Sequence, residues 1–280
     1  THDSLKISNG KWIWWSRGIG GRSALDYLIK VKGYSFLEAV ETIIGHTAIQ
    51  APVYEKPQPK GENKPLLLPE KCASNRVITE YLFGRGIDFE IINYCISNDL
   101  IFESLPYHNV VFVGYDEKKE PKYAAYRSTN KRRIMGDCSG SKKDYSFRLG
   151  KENLEEVHLF ECAIDLLSYA TLAKLNGQDW KEMSFVSLSG VYSPAKKIED
   201  SKVPIALEKY LGSNPSVRKI RIHFDNDIAG RKAAQTLKTI LPDKYEIVDE
   251  PPKAGKDFND FLCMRMGIYN KKTHERNEER

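Results

Sequence analysis

From residue 153 onward the chain alternates short apolar runs with amphipathic stretches. Val157–Phe160 leads to a helical pattern over Ile164–Leu175, and Ser184–Ser187 to one within Pro204–Leu211. Lys219–Phe224 leads to a helical pattern over Ala229–Ile240, and Tyr245–Asp249 to a short one over Asn259–Met266. Strands separated by helices need crossovers, so this alternation predicts a parallel sheet with flanking helices.

The upstream patterns differ. Lys11–Trp15 reads as a strand, Gly18–Gly21 as a turn, and Ala24–Val31 as a helix with Leu25, Leu28 and Ile29 on one face. Ser35-Phe36-Leu37-Glu38 has the spacing of a capping box and predicts a second helix through Ile44. Residues 51–65 hold four prolines among Lys, Glu and Gly and read as a solvated linker. Beyond it, Asn75–Phe83 and Asp88–Cys95 predict short helices. Asn109–Tyr115 and Pro121–Arg127 predict a hairpin turning at Asp116–Lys119, and Tyr145–Leu149 a further strand. The expected organisation is a small domain over 1–50, a linker over 51–65, a basic α+β domain over 66–152, an α/β domain over 153–268, and a disordered polar tail over 269–280.

Composition narrows the class. With 41% apolar and 29% charged residues and a formal net charge of +5, a soluble protein with some attraction to polyanions is expected. No stretch reaches the length needed to span a bilayer, so no membrane partner is expected. The cysteines are isolated, with no Cys-x-x-Cys, which argues against a disulfide framework and points to a reducing cytoplasm. Thr1 in the first position leads us to expect further residues before it.

Candidate chemistry lies at strand ends. The run Arg218–Phe224 closes on Asp225-Asn226-Asp227, and Val157–Phe160 closes on Glu161 with Asp165 four residues later. In open α/β sheets ligands bind beyond the carboxyl ends of strands. Glu161, Asp225 and Asp227 there make a hard oxygen site suited to Mg²⁺, which needs few carboxylates because it keeps several waters. Asp165 would face the same site if it lies on a helix. Asp257 is a weaker candidate for an outer ligand, and Asp260 weaker still, because Asp before an apolar run is also an ordinary helix cap.

Glu161-Cys162-Ala163-Ile164-Asp165, Ser189-Gly190, Phe224 to Gly230 and Gly255-Lys256-Asp257-Phe258-Asn259-Asp260 resemble, in order, the motifs of the Toprim domain, and most closely its primase branch. The resemblance covers about 155–265. Cys162 departs from it, standing where a glycine is usual. The resemblance implies a Toprim-like parallel-sheet fold, Mg²⁺ or Mn²⁺ as cofactor, and catalytic roles for Glu161, Asp225 and Asp227. Glu161 would act as a ligand or as a general acid or base.

The segment Lys118–Lys151 holds eleven Lys or Arg against three Asp or Glu, interleaved with Tyr123, Tyr126, Tyr145 and Phe147. Such a surface neutralises phosphates while aromatic rings stack on bases. Lys122, Arg127, Lys131, Arg132, Arg133, Lys142, Lys143 and Arg148 are its candidate nucleic-acid contacts; the plainer alternative is a solvated hairpin face. In primases a basic subdomain in this position holds template and nucleotide. The N-terminal segment resembles a degenerate primase zinc-binding domain of zinc-ribbon type. Only His2 remains of a four-ligand set, so no zinc is expected, and the Trp cluster is expected to fill the space by packing.

Together these readings describe a primase-like nucleotidyltransferase of a mobile element, such as a plasmid, phage or conjugative element. It would act on single-stranded DNA with nucleoside triphosphates, and its protein partner would be of the helicase or relaxase kind. A metal-dependent Toprim nuclease and a non-catalytic DNA-binding accessory protein are the alternatives. The residues leave open the choice between RNA and DNA product.

Overall fold

The structure is a computed structural model. It describes residues 4–8, 11–35, 38–39, 42–43, 64–130, 134–190, 192, 194–195 and 197–268. Contacts divide the chain into two units, 1–62 and 63–280. The expected tail over 269–280 and most of the expected linker lie outside the described residues. No described helix is long and apolar enough to cross a membrane.

In the first unit, β1 (Leu5–Ser8), β2 (Lys11–Trp14) and β3 (Ile19–Gly21) form an antiparallel sheet, followed by helix α1 (Ala24–Lys30). Alternation along β2 turns Trp12 and Trp14 into the interior, and Trp12 meets the Tyr27 ring edge-on at 5.6 Å. Trp15 follows the strand and is exposed, so the expected packing role falls to two of the three tryptophans. The expected turn over Gly18–Gly21 is instead mostly strand. A Cβ on Gly21 would fall 2.7 Å from the Trp12 indole nitrogen, so the missing side chain lets this strand close over the ring. Ser35 and Glu38 exchange the reciprocal bonds of a capping box, at 2.8 and 3.3 Å. Most of the helix it would start, and His2, lie outside the described residues.

The second unit opens with helices α2 (Arg76–Phe83) and α3 (Phe89–Ser97). An antiparallel sheet follows, of β4 (Ile101–Ser104), β5 (Asn109–Tyr115), β6 (Pro121–Arg127) and β7 (Met135–Asp137). The hairpin β5–β6 matches expectation; β4 and β7 were not expected. All four β4 residues are buried, so the strand has no alternation to read, and it carries a carboxylate, Glu103, in its middle. That carboxylate is accommodated because it accepts from the Val77 and Ile78 amides at 2.8 and 3.2 Å, at the start of α2.

The C-terminal sheet has the order β12 (Glu246–Asp249), β11 (Lys219–His223), β9 (Glu156–Phe160), β10 (Ser184–Ser187) and β8 (Arg148–Gly150). The first four are parallel and β8 is an antiparallel edge. The fold is therefore α/β, with a mixed, mostly parallel C-terminal sheet preceded by antiparallel sheets. The strand expected over Tyr145–Leu149 starts later, after a 3₁₀ turn at Lys143–Tyr145.

Helices α4 (Ala163–Leu175) and α7 (Phe258–Arg265) cover one face of this sheet; α5 (Ile205–Ser213) and α6 (Ile228–Ile240) cover the other. Helix α4 is apolar around its circumference, and ten of its residues are buried. A helix of that kind must be enclosed on all sides. Ile78, Leu82, Ile91 and Ile92 of α2 and α3 complete the enclosure, in one core with Phe147, Phe160, Leu166 and Leu167. Burying each such side chain is worth about 1.5–3 kcal/mol. Inside the sheet, His158 Nδ1 and His223 Nε2 lie 2.9 Å apart, with Glu156, Arg221 and Glu250 beside them. These side chains line a cavity of about 520 Å³.

Candidate metal and nucleic-acid site

Register brings the strand ends together. β9 and β11 pair with Phe160 opposite His223, so Glu161 and the Phe224–Asp225 step leave the sheet side by side. The Asp225 amide donates to Glu161 Oε1 at 3.2 Å. Asp227 is the N-cap of α6 and accepts from the Gly230 amide at 2.9 Å. A Cβ on Gly230 would fall 2.2 Å from the Asp225 carbonyl oxygen, so only glycine lets α6 start this close to the acidic loop. Arg231 braces the loop, donating to the Asp225 and Phe224 carbonyls at 3.1 and 2.8 Å and pairing with Asp249 at 2.7 Å.

Lys256 completes the group. Its ammonium lies 3.2 Å from Asp225 and 3.3 Å from Asp227, and its carbonyl accepts from the Asn226 amide at 2.7 Å. Glu161, Asp225 and Asp227 share one end of the sheet, yet they do not bring three oxygens within 4.8 Å of one another. The lysine supplies the positive charge between the two aspartates.

Behind them, Asp165 is buried. It accepts from the Asn259 amide at 3.2 Å and from the Cys162 thiol at 2.9 Å. Asp257 is the N-cap of α7, accepting from the Asp260 amide at 2.7 Å, which is the cap role weighed for it from sequence. Asp260 accepts from the Lys256 amide at 3.4 Å and steadies the loop. Cys162 occupies an extended conformation at φ −137°, which any residue adopts, so its place in the glycine position of the motif costs no backbone strain.

Electrostatics follow from burial and crowding. Burial and the nearby Asp225 push Glu161 up to about 7. Burial raises Asp225 against the pull of Lys256. Burial and Asp257 raise Asp165, and burial raises Asp257 in turn. Asp227 is held low, first by the Gly230 amide and then by Lys256, and these acids raise Lys256 itself. Crowded carboxylates of this kind favour a cation among them. The donors are all oxygens at the mouth of a sheet, a chemistry that suits Mg²⁺ or Mn²⁺; Glu161, Asp225 and Asp227 are the residues that would hold such an ion, after closing on it and displacing Lys256.

The basic candidates divide. Lys122 is paired with Asp116 and Glu120, at 3.4 and 2.6 Å. Arg148 contacts Glu152 at 3.7 Å and lies over the Tyr210 ring at 5.2 Å. Arg127 donates to the Tyr81 hydroxyl at 3.2 Å. Lys143 pairs with Asp137 at 3.1 Å and donates to the Ser189 carbonyl at 3.3 Å, in the loop whose Gly190 amide donates to the Glu161 carbonyl at 2.9 Å. Lys143 thus approaches the acidic strand ends, whereas Lys122, Arg127 and Arg148 are engaged elsewhere. No ion pair is found for the Lys142 ammonium among the described residues. Lys131, Arg132 and Arg133 lie outside them.

Sequence reasoning missed roles for Lys256, Arg231 and Asn259. Lys256 stood within a quoted motif, but nothing local marks it as the partner of Asp225. Asn259 bonds Asp165, Ser168 and the Arg85 carbonyl, a role set wholly by tertiary packing.

Residues 158–262 match the family described as Toprim-like, and residues 80–153 match a family described as "Protein of unknown function (DUF3991)". The chain thus carries a Toprim-like domain behind a segment of that second family. No curated protein matches the chain. Among solved structures, the primase fragment of the bacteriophage T7 primase-helicase protein is 15% identical, covering 96% of this chain and 91% of that one at a TM-score of 0.48. The Aquifex aeolicus primase, in its zinc-binding and RNA polymerase domains, is 15% identical, covering 95% and 73% at 0.42. A DnaG primase catalytic domain bound to single-stranded DNA is 12% identical, covering 74% of each chain at 0.44.

Proposed function

We propose that this chain is a primase-like nucleotidyltransferase, joining nucleotides on a single-stranded DNA template in the replication or transfer of a mobile element. The observation that carries this reading is the grouping of Glu161, Asp225 and Asp227 at the ends of two adjacent parallel strands, within a Toprim-like domain. Mg²⁺ or Mn²⁺ held there would supply Lewis-acid chemistry, favouring attack of a 3′-hydroxyl on an α-phosphate and steadying the leaving oxygen. The remaining work falls to the chain. Arg231 and the Asp227 cap fix the acidic loop. Lys256, half-exposed, would have to leave its two aspartates to meet a triphosphate, which a divalent ion between them would favour. The basic segment, with Lys143 reaching the Ser189–Gly190 loop beside Glu161, would hold template and nucleotide. A protein partner of the helicase or relaxase kind belongs to the same proposal.

One observation favours a second reading. Lys256 already neutralises Asp225 and Asp227, as it would in a DNA-binding accessory protein that uses no metal.

The test is paired, on wild type and on Asp225→Asn. A single-stranded template, labelled nucleoside triphosphates and Mg²⁺ or Mn²⁺ are read for extension and degradation, with binding measured alongside. Wild type is expected to extend. Asp225→Asn should lose activity by orders of magnitude while binding persists. Synthesis that survives the substitution overturns the assigned site. Degradation without synthesis makes the chain a nuclease, and neither activity under any divalent metal makes it an accessory protein.

A further inference from the structure

Away from the acidic strand ends, three side chains of different chemistry converge in the middle of the chain. Cys72, Glu103 and His108 bring a sulfur, a carboxylate oxygen and a ring nitrogen within 4.8 Å of one another, and no other such triplet occurs among the described residues. We propose that these residues form a second metal site, taking Zn²⁺ or a similar borderline cation and not Mg²⁺.

Each ligand is held from behind. Glu103 is 1% exposed and has one oxygen, Oε2, committed to the Val77 and Ile78 amides; this leaves Oε1 aimed at His108 Nδ1, 2.5 Å away. The Cys72 amide donates to the Glu103 carbonyl at 2.7 Å, which fixes the thiol-bearing residue against β4. His108 lies in the β4–β5 turn at φ +52°, a conformation uncommon for a residue with a Cβ. Its amide donates to the Ser104 carbonyl at 2.8 Å, and its carbonyl accepts from the Thr129 hydroxyl at 3.0 Å.

The Glu103–His108 pair taken alone is a capped helix start with an imidazole partner. Cys72 adds nothing to that role, but it supplies the third corner of a metal site. Thiolate with imidazole selects zinc-like cations over Mg²⁺ and Ca²⁺, which require oxygen. Around a tetrahedral Zn²⁺, ligand atoms stand about 3.3–3.6 Å apart, so the Nδ1–Oε1 contact must open by roughly 1 Å as the metal enters. On binding, the Cys72 thiol gives its proton to solvent, and His108 binds through Nδ1 as a neutral imidazole with its proton on Nε2. The His108 side chain is 45% exposed, which leaves a path of entry and an open fourth position for water.

The test uses the full chain stripped by chelator and titrated with Co²⁺. One equivalent should bind with a thiolate-to-cobalt charge-transfer band, displaced by Zn²⁺ and not by excess Mg²⁺. Cys72→Ser should abolish the band, His108→Asn should weaken binding about tenfold or more, and Asp225→Asn should leave the band intact. Absence of the band in wild type, or its persistence in Cys72→Ser, overturns the proposal. Should Cys72→Ser fail to fold, alkylation of wild type decides. Zn²⁺ should shield Cys72 from iodoacetamide, and an unshielded Cys72 overturns the site.

Discussion

The Lys256 ammonium stands 3.2 Å from the Asp225 carboxylate, across a loop that returns from β12 to the end of β11. In the proposed reading, a divalent cation would compete for this position. Replacing it with methionine should lower the melting temperature without divalent metal by about 2–4 °C, because two aspartates lose their shared partner. Mg²⁺ should then restore more stability than it adds to wild type, since the competing charge is gone. Calorimetry with and without Mg²⁺ checks this; an equal Mg²⁺ response in both proteins would show that lysine and metal do not compete.

Asp227 caps α6 and also presents a charge at the acidic loop. Asn caps a helix about as well as Asp, whereas Ala costs about 0.5–2 kcal/mol. Asp227→Asn should therefore keep stability close to wild type while weakening Mg²⁺ binding, and Asp227→Ala should lose both. Urea unfolding and calorimetric Mg²⁺ titration separate the roles. Unchanged Mg²⁺ affinity in Asp227→Asn would reduce Asp227 to a cap.

The approach of α6 to the Asp225 carbonyl leaves no room at Gly230. Gly230→Ala should destabilise the protein by about 1–3 kcal/mol through overpacking, and it should displace Asp225, so activity should fall beyond the loss of stability. Unfolding within error of wild type would contradict the close contact.

Glu156 offers a pH dependence outside the acidic site. His158 and then Arg221 hold its carboxyl at about 2, below the ordinary 4.5. A depressed carboxyl stabilises the fold fully above its ordinary value and loses that contribution as pH falls toward the depressed one. Glu156→Gln should thus be less stable than wild type near neutrality, and the gap should narrow as pH drops below about 4.5. Urea midpoints from pH 6 to pH 3 give the trend; a gap that widens on acidification would contradict the pairing.

Much of this arrangement was legible in the chain because its strands carry a strand period: Val157–Phe160 is mostly apolar, and Lys219–Phe224 alternates polar and apolar residues. Val157–Phe160 and Lys219–Phe224 announced themselves, and the acids at their ends were visible by position alone. Ile101–Ser104 was not, because a buried strand with a glutamate at its centre breaks every local pattern until the amides of Val77 and Ile78 are in place. Lys256 and Asn259 were illegible for a related reason: their partners lie 25 or more residues away, and only the folded loop brings them near. The charge run over Lys118–Lys151 was plain, but that Lys122 and Arg148 spend their charge inside the molecule was not.

The edge strand Arg148–Gly150 lies upstream of the first parallel strand yet completes its sheet, and Phe147 beside it shares an interior with Phe160 and Leu167. A recombination event that joined residues 153–268 to a foreign front half would arrive lacking the outer strand of its sheet and the cover over α4. Expressed without residues 63–152, the parallel strands should therefore expose the flank of Ser184–Ser187 and the apolar outer face of α4.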